Sequence, residues 1–154
     1  KEEVLREPES FLKIDRAETQ FDDSVDTYAP EVYQRAHDTL WNMIEKGDFI
    51  RDDKPCYYIY ELTMNGRTQT GITACASIDD YENDVIKKHE NNTCGKEQDR
   101  ICHVDICDAQ TGPIFLAYRD DDQITAIVAK VKKQDPEYGF YITGWSSPSC
   151  MGNC

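Results

Sequence analysis

The sequence predicts an α+β fold: a small mixed or antiparallel sheet with a central β-hairpin at about residues 56–76, together with three to four helices. Three observations lead to this prediction. Two runs rich in β-branched and aromatic residues flank Asn65-Gly66. An amphipathic segment follows Pro30, and another follows three aspartates at 120–122. Strand-like and helix-like periods therefore both occur along the chain.

The first third of the chain contains one strong helical signal. Residues 10–15, SFLKID, alternate in polarity and predict a short strand, whereas the polar residues 17–29 predict a loop. A helix then begins at Pro30 and ends at Gly47. Its apolar residues fall on one face, which indicates core packing: Val32, Tyr33, Ala36, Leu40, Met43 and Ile44.

A β-hairpin is the clearest local prediction. The runs CYYIYELT and RTQTGITACAS flank Asn65-Gly66, and Asn-Gly favours a type I′ turn because both central residues need positive φ. Ser77 and Asp80 then match a helix-capping pattern. We expect the following helix to end near His89-Glu90 and to bury four residues: Ile78, Tyr81, Val85 and Ile86.

Further elements are predicted in the second half. A helix from Lys96 to about Asp108 has Ile101, Val104 and Ile106 as its apolar positions. Residues 113–119, PIFLAYR, predict a buried strand. Asp120–Asp122 are predicted to cap a last helix, whose apolar residues lie at helical spacing: Ile124, Ile127, Val128 and Val131. Residues 138–143, YGFYIT, predict a final strand. We expect residues 1–143 to form one domain, incomplete at both ends, and residues 144–154 to form a disordered tail.

Composition limits the classes of partner. Seventeen basic and thirty acidic residues give a net charge of −13, which disfavours direct binding to nucleic acid or to an anionic membrane. The apolar runs are too short to span a bilayer. The seven cysteines are odd in number, none forms C-x-x-C, and no secretory signal opens the chain, so we expect reduced thiols and a cytoplasmic protein.

Residues 86–100, IKKHENNTCGKEQDR, contain the candidate site. The polar turn that includes Thr93 and Gly95 precedes a helix, and helix N-termini bind anions. Lys96 and Arg100, one helical turn apart, are predicted to bind phosphate together with that turn. Glu90, aided by His89, is the candidate general base. Three nearby residues are secondary candidates: Glu97, Asp99 and His103. The alternative is a solvated, charged helix face.

The sequence predicts no metal site. His89-Glu90 begins the H-E-x-x-H pattern, but position 93 is threonine rather than histidine. A looser set has spacings that match no common zinc module: His89, Cys94, Cys102, His103 and Cys107. No P-loop motif occurs.

A resemblance adds to this interpretation. The string YYIYELTMNGRTQTGITACASIDDY, followed by IKKHE, KEQDR and HVDICDAQTGPIFLAYR, closely resembles a widespread bacterial family whose members are often labelled ParB-like. It covers roughly residues 8–140, and family members extend beyond both ends, so the chain resembles an internal piece. The family is similar to a ParB/sulfiredoxin-like α+β group that includes partition proteins, sulfiredoxins and free serine kinases.

The resemblance implies a nucleotide phosphate held at a helix N-terminus beside a charged motif. On this basis His89 and Glu90 match the family's His-Glu pair, and Lys96, Glu97, Asp99 and Arg100 match its Lys-Glu-x-Asp-Arg segment. The chain departs from the family at 91–95, where Asn-Asn-Thr-Cys-Gly replaces a segment that usually contains an arginine. Loss of that guanidinium would weaken phosphate binding.

Two classes of function follow from these expectations. The first is a phosphotransferase that uses Mg²⁺ and a nucleotide, ATP or ADP, and acts on a small hydroxylated metabolite. The second is a nucleotide-regulated ParB-like module that acts through DNA or a protein partner. A third possibility is a fragment that is inactive by itself.

Overall fold

The computed structural model describes residues 1–88, 93–140 and 150–153. Its fold is α+β, as the sequence predicts. The helices are α1 (Glu2–Arg6), α2 (Leu12–Asp15), a 3₁₀ segment (Ala17–Gln20), α3 (Pro30–Lys46), α4 (Ile78–Glu82), α5 (Cys94–Cys107) and α6 (Asp122–Val131). The strands are β1 (Tyr58–Met64), β2 (Arg67–Thr73), β3 (Tyr138–Phe140) and β4 (Cys150–Asn153). No helix in these ranges is long and apolar enough to cross a membrane.

Contacts between residues divide the chain into two compact units. The helical unit consists of Lys1–Arg51 and Lys88–Leu116, and the sheet unit consists of Asp52–Lys87 and Ala117–Cys154. That residues 1–143 form one domain stays a prediction.

Helix α3 supplies most of the core of the helical unit. It begins with Pro30 in its first turn and ends at Gly47, whose φ of 84° is left-handed, so both predicted ends are confirmed. Five of the six predicted inward residues are buried, whereas Ile44 is 38% exposed. The core cluster combines four of these α3 residues with others from α2, the 3₁₀ segment and α5: Ile14, Ala17, Val32, Ala36, Leu40, Met43 and Cys107.

The predicted strand at 10–15 is wrong, because Leu12–Asp15 form helix α2. Ile14 and Ala17 are both buried, and this spacing of three belongs to a helical turn rather than to a strand. The alternation of polar and apolar residues in this segment depends on Phe11 and Leu12, and both side chains are exposed, at 42% and 49%.

Helix α5 packs against α3 and begins two residues earlier than predicted. It ends at Cys107, after which Asp108 has a left-handed φ of 51°. The expected apolar face is wrong: Ile101 is 54% exposed, and the buried residues are His103 and Cys107. Trp41 donates its Nε1–H to the carbonyl oxygen of Cys107 at 3.1 Å, which ties this end of α5 to α3.

The sheet unit contains an antiparallel sheet with strand order β2-β1-β4-β3. The predicted hairpin is confirmed, since Met64 pairs with Arg67 and leaves a two-residue loop. Asn65 and Gly66 have φ values of 52° and 75°, as a type I′ turn requires. The predicted last strand is confirmed over Tyr138–Phe140, and residues 141–143 lie outside the described residues.

Part of the predicted disordered tail differs from expectation. Residues 150–153 form β4, which pairs with β1 and β3, whereas residues 144–149 and 154 lie outside the described residues. Pairing uses backbone groups, so a strand can form without the side-chain period on which the prediction depended.

Helix α4 begins as predicted but is much shorter. The Ser77 hydroxyl accepts the backbone N–H of Asp80 at 3.2 Å, which confirms the cap. The helix stops at Glu82, and Asp84 is left-handed with a φ of 56°. Asn83-Asp84 is therefore the stop signal that the prediction overlooked. Ile78, Tyr81 and Val85, expected to be inward, are 74%, 48% and 68% exposed.

The buried strand predicted at 113–119 is absent. These residues form no strand in the part of the chain that the structure describes, and Phe115 is 90% exposed. An apolar run predicts burial, but a strand also needs a neighbouring backbone with which to pair.

The predicted cap of α6 is confirmed, since Asp121 Oδ1 accepts the backbone N–H groups of Gln123 and Ile124 at 2.9 and 3.1 Å.

The hairpin turn gives a direct test of backbone strain. Replacing Gly66 by alanine places a Cβ at a φ of 75° and should lower the free energy of unfolding by about 1 kcal/mol. Gly71→Ala is the matched control, because Gly71 lies within β2, its φ is outside the left-handed region, and a Cβ there would meet no atom within 4 Å. Urea denaturation followed by circular dichroism compares them, and equal stability of the two variants would contradict a strained turn.

Candidate functional site

The helical unit contains an open cavity of about 460 Å³ beside the first turns of α5. The end of α2, the 3₁₀ segment and the start of α3 complete its wall. Among the described residues, six charged ones line it, three cations and three carboxylates: Arg16, Lys96, Arg100, Asp15, Glu18 and Asp99. Tyr28, Tyr33 and His103 also line the cavity. This arrangement suits a small polar ligand that carries charge.

Arg16 and Glu18 satisfy each other. The Arg16 Nε donates to Glu18 Oε1 at 2.6 Å. This hydrogen bond and the charge of Glu18 raise the pKa of the Arg16 guanidinium above its ordinary value. Neither group therefore depends on a ligand for a partner.

Asp99 is held by a buried tyrosine. The Tyr33 hydroxyl donates to Asp99 Oδ1 at 2.8 Å, and the tyrosine is only 7% exposed. Burial, followed by the hydrogen bond to Asp99, raises the pKa of Tyr33 well above its ordinary value. The hydroxyl thus stays protonated and continues to donate.

Arg100 lies between two carboxylates at longer distances. Its Nη1 is 3.3 Å from Asp15 Oδ1, and its Nη2 is 3.9 Å from Asp99 Oδ2. The side chain is 50% exposed. A guanidinium has five N–H donors, so Arg100 retains donors for a ligand while it contacts both carboxylates.

Lys96 is the cavity cation without a partner of its own. Its side chain is exposed and forms no hydrogen bond or ion pair with any residue in ranges 1–88 and 93–140. An ammonium group in this position is available to an incoming anion.

The first turn of α5 adds backbone donors next to Lys96. Thr93 is the N-cap residue, and its side chain accepts no hydrogen bond from the helix. The N–H groups of the first turn have no partner within a helix, and they carry partial positive charge. Thr93 and Gly95 are exposed at this end of the helix and are not part of the cavity wall.

His103 forms the buried side of the site. It is 5% exposed, and its Nε2 lies 3.1 Å from the carbonyl oxygen of Ile14. Because a carbonyl only accepts, Nε2 carries the proton. Nδ1 is buried and has no hydrogen-bond partner among the described residues. A buried polar atom without a partner is costly, and a functional role or a bound ligand or water is the usual explanation for one.

The structure therefore brings together four of the residues that the sequence singled out: Lys96, Asp99, Arg100 and His103. Glu97 lies exposed on α5 and is not part of the wall, while His89 and Glu90 lie outside the described residues. Sequence reasoning missed Asp15, Arg16 and Glu18, and also both tyrosines. The charged run Asp15-Arg16 after a buried isoleucine was an available signal, but it was interpreted as the end of a strand.

Metal ligands are not clustered at this site. No group of three or more His, Cys, Asp or Glu residues that could hold a metal ion occurs in the ranges that the structure describes. Cys56, Cys75, Cys94, Cys102 and Cys107 are free thiols. Burial raises the pKa of the Cys107 thiol, which lies in the core.

A comparison with models of protein families identifies the family of this chain. A family model with the description "Protein of unknown function (DUF1015)" matches residues 1–145. The chain belongs to the DUF1015 family. Every residue of the cavity wall lies within the matched range. Comparisons of this DUF1015 protein with curated proteins and with solved structures find no match. Its resemblance to the ParB/sulfiredoxin-like group stays a prediction.

The Tyr33–Asp99 hydrogen bond should give a specific pH dependence. Tyr33→Phe should lower the free energy of unfolding by about 1 kcal/mol at pH 7. The folded state raises the pKa of Tyr33, so the wild type loses stability as pH rises above the ordinary tyrosine value of 10.0. The phenylalanine variant lacks this loss, and the difference between the two proteins should narrow above about pH 10.

Urea denaturation between about pH 7 and 11 measures this difference, with Tyr28→Phe as the control. Tyr28 also lines the cavity but is 61% exposed. A constant difference between wild type and Tyr33→Phe across this range would show that Tyr33 ionises equally easily in both states.

Proposed function

We propose that this protein binds a nucleotide through its phosphates at the cavity beside the start of α5, and that it transfers phosphate to a small hydroxylated metabolite. The observation that carries the proposal is the position of Lys96 and Arg100. They lie one turn apart on α5 and line the same cavity. An ammonium and a guanidinium at the N-terminal end of a helix form a site suited to phosphate.

Two features support an anion rather than a cation as the ligand. Lys96 has no partner among the described residues, and Arg100 is held only by contacts of 3.3 and 3.9 Å. All three carboxylates already accept hydrogen bonds, from Arg16, Tyr33 and Arg100. The groups that remain available are therefore mainly cationic. The orphaned Nδ1 of the buried His103 is a second, independent indication of a ligand site.

Mg²⁺ would reach this site together with the nucleotide. The cavity offers no cluster of three ligand residues within the described ranges, and Mg²⁺ is commonly held by one or two carboxylates, by water and by the phosphates of the substrate. When bound, Mg²⁺ would neutralise charge on the transferred phosphate.

The residues proposed for proton transfer are taken from the sequence alone. Glu90 and His89 precede α5, and we propose them as general base and its helper because a hydroxyl acceptor must lose a proton. A cytoplasmic location belongs to the same proposal. ATP and ADP are the candidate nucleotides, and direct binding of nucleic acid is not part of the proposal because the net charge is −13.

Nucleotide binding can be measured by thermal shift with ATP, ADP, CTP and GTP, each with and without Mg²⁺. A ligand that binds the native state raises the apparent melting temperature. We expect Lys96→Met and Arg100→Gln each to weaken binding about tenfold or more, because each removes a charge-assisted contact to phosphate.

Lys130→Met is the matched control for these variants. It removes the same charge from an exposed position on α6, in the sheet unit. Two results would contradict phosphate binding at this cavity. The first is a wild-type melting temperature that no nucleotide changes. The second is an equal nucleotide-induced shift in Lys96→Met and Lys130→Met.

A further inference from the structure

The three carboxylates of the cavity differ in how fully they are satisfied. Glu18 accepts from Arg16 at 2.6 Å, and Asp99 accepts from Tyr33 at 2.8 Å. Among the described residues, the Asp15 side chain accepts one hydrogen bond, from Arg100 at 3.3 Å, and it is 36% exposed. Asp15 is therefore the cavity carboxylate that is most available to a ligand hydroxyl.

The backbone holds Asp15 in place even though its side chain is loosely held. Ile14 is fully buried, and its carbonyl oxygen accepts the His103 Nε2 proton at 3.1 Å. The next N–H groups complete the turn, from Asp15 to the Phe11 carbonyl at 3.2 Å and from Arg16 to the Leu12 carbonyl at 2.8 Å. These contacts fix the Cα of Asp15 at the cavity wall.

Anion binding would change the surroundings of Asp15. A phosphate that pairs with Arg100 competes with Asp15 for the same guanidinium. When Arg100 turns to the phosphate, Asp15 loses its hydrogen bond from the guanidinium, and its oxygen is free to accept one from a ligand hydroxyl. One binding event thus places a phosphate beside Arg100 and frees a carboxylate oxygen next to it.

We propose that Asp15 binds the hydroxyl of the phosphate acceptor and takes its proton. This assignment rests on the phosphate site of the proposed function, replaces Glu90 by Asp15 as the general base there, and names a residue that the sequence did not single out. The proton passes from the acceptor hydroxyl to a carboxylate oxygen of Asp15, and the acceptor oxygen forms a bond to the terminal phosphorus of ATP. The bond from that phosphorus to the bridging oxygen breaks, and its electron pair leaves with ADP.

The same geometry indicates the charge of the acceptor. Asp15, Glu18 and Asp99 all line the cavity, and Asp15 and Asp99 lie 3.3 and 3.9 Å from the Arg100 guanidinium. An acceptor with its own carboxylate would be repelled once Arg100 pairs with phosphate, so the favoured acceptor is a neutral or cationic hydroxyl compound. Glycerol and ethanolamine are simple probes of this class.

The experiment measures two quantities on the whole chain: ADP formed from Mg²⁺-ATP, and the melting-temperature response to Mg²⁺-ATP. Acceptors are water, glycerol and ethanolamine. Asp15→Asn should reduce ADP formation by about 100- to 10,000-fold, the usual contribution of a general base. Its affinity for ATP should stay equal or rise by up to about fivefold, because Arg100 is freed from an exposed ion pair.

Asp105→Asn is the matched control, since it makes the same change at an exposed position of α5 outside the cavity wall. Its ADP formation should equal that of the wild type. Asp15→Ala supplies a second test, because added formate can replace the missing carboxylate and should restore part of the activity. A purely structural role of Asp15 would not respond to formate.

The outcomes separate this assignment from the proposed function. Loss of ADP formation in Asp15→Asn with ATP binding retained supports it, whatever Glu90→Gln does. Wild-type activity in Asp15→Asn overturns it. ATP binding without ADP formation by the wild type also overturns it, but leaves the phosphate site standing. No ATP binding by the wild type overturns both.

Discussion

The hydrogen bond from His103 to the carbonyl of Ile14 is the contact on which the rest of the helical unit depends. It joins the middle of α5 to the end of α2 at a buried position, 3.1 Å across. A buried imidazole without a partner would be costly, so this contact fixes which face of α5 turns inward. Helical geometry then determines the remaining positions, because residues three, four and seven places earlier lie on the same side. Those residues are Arg100, Asp99 and Lys96.

The cavity is therefore a consequence of a polar rather than an apolar contact between helices. The α5 face that meets α3 carries His103 and Cys107, and its polar groups are matched by the Tyr33 hydroxyl and the Ile14 carbonyl. Most charges of the wall are neutralised within it, which explains how three cations and three carboxylates can lie together. The remaining imbalance lies at Lys96 and in the long contacts of Arg100, and it favours an anionic ligand.

Local signals in the sequence predicted local structure well. Pro30 and Gly47 fixed the ends of α3, Asn65-Gly66 fixed the hairpin, and Ser77 and Asp121 fixed two helix starts. Each of these acts within a few residues, so one sequence is enough to identify it. The phosphate-site candidates Lys96 and Arg100 were identified for the same reason, since they lie one turn apart.

Features that depend on tertiary contacts were not predictable in this way. Asp15 lies 85 residues before Arg100, and Tyr33 lies 66 residues before Asp99, so no local pattern links either pair. The buried face of α5 was assigned wrongly because His103 is polar and Ile101 is apolar, whereas the available partners favoured the histidine. The apolar run at 113–119 shows the converse: its composition fits a strand, but no strand forms without a paired backbone.

The location of phosphate binding is the central claim, and amide chemical shifts test it most directly. The protein, labelled with ¹⁵N, would be titrated with Mg²⁺-ATP and, separately, with pyrophosphate. We expect both ligands to shift the amides of Gly95, Lys96 and Arg100 and those of Asp15 to Glu18, since these lie at the N-terminus of α5 or on the cavity wall. Saturating shifts confined to other parts of the chain, or no shifts with either ligand, would contradict a phosphate site at this cavity.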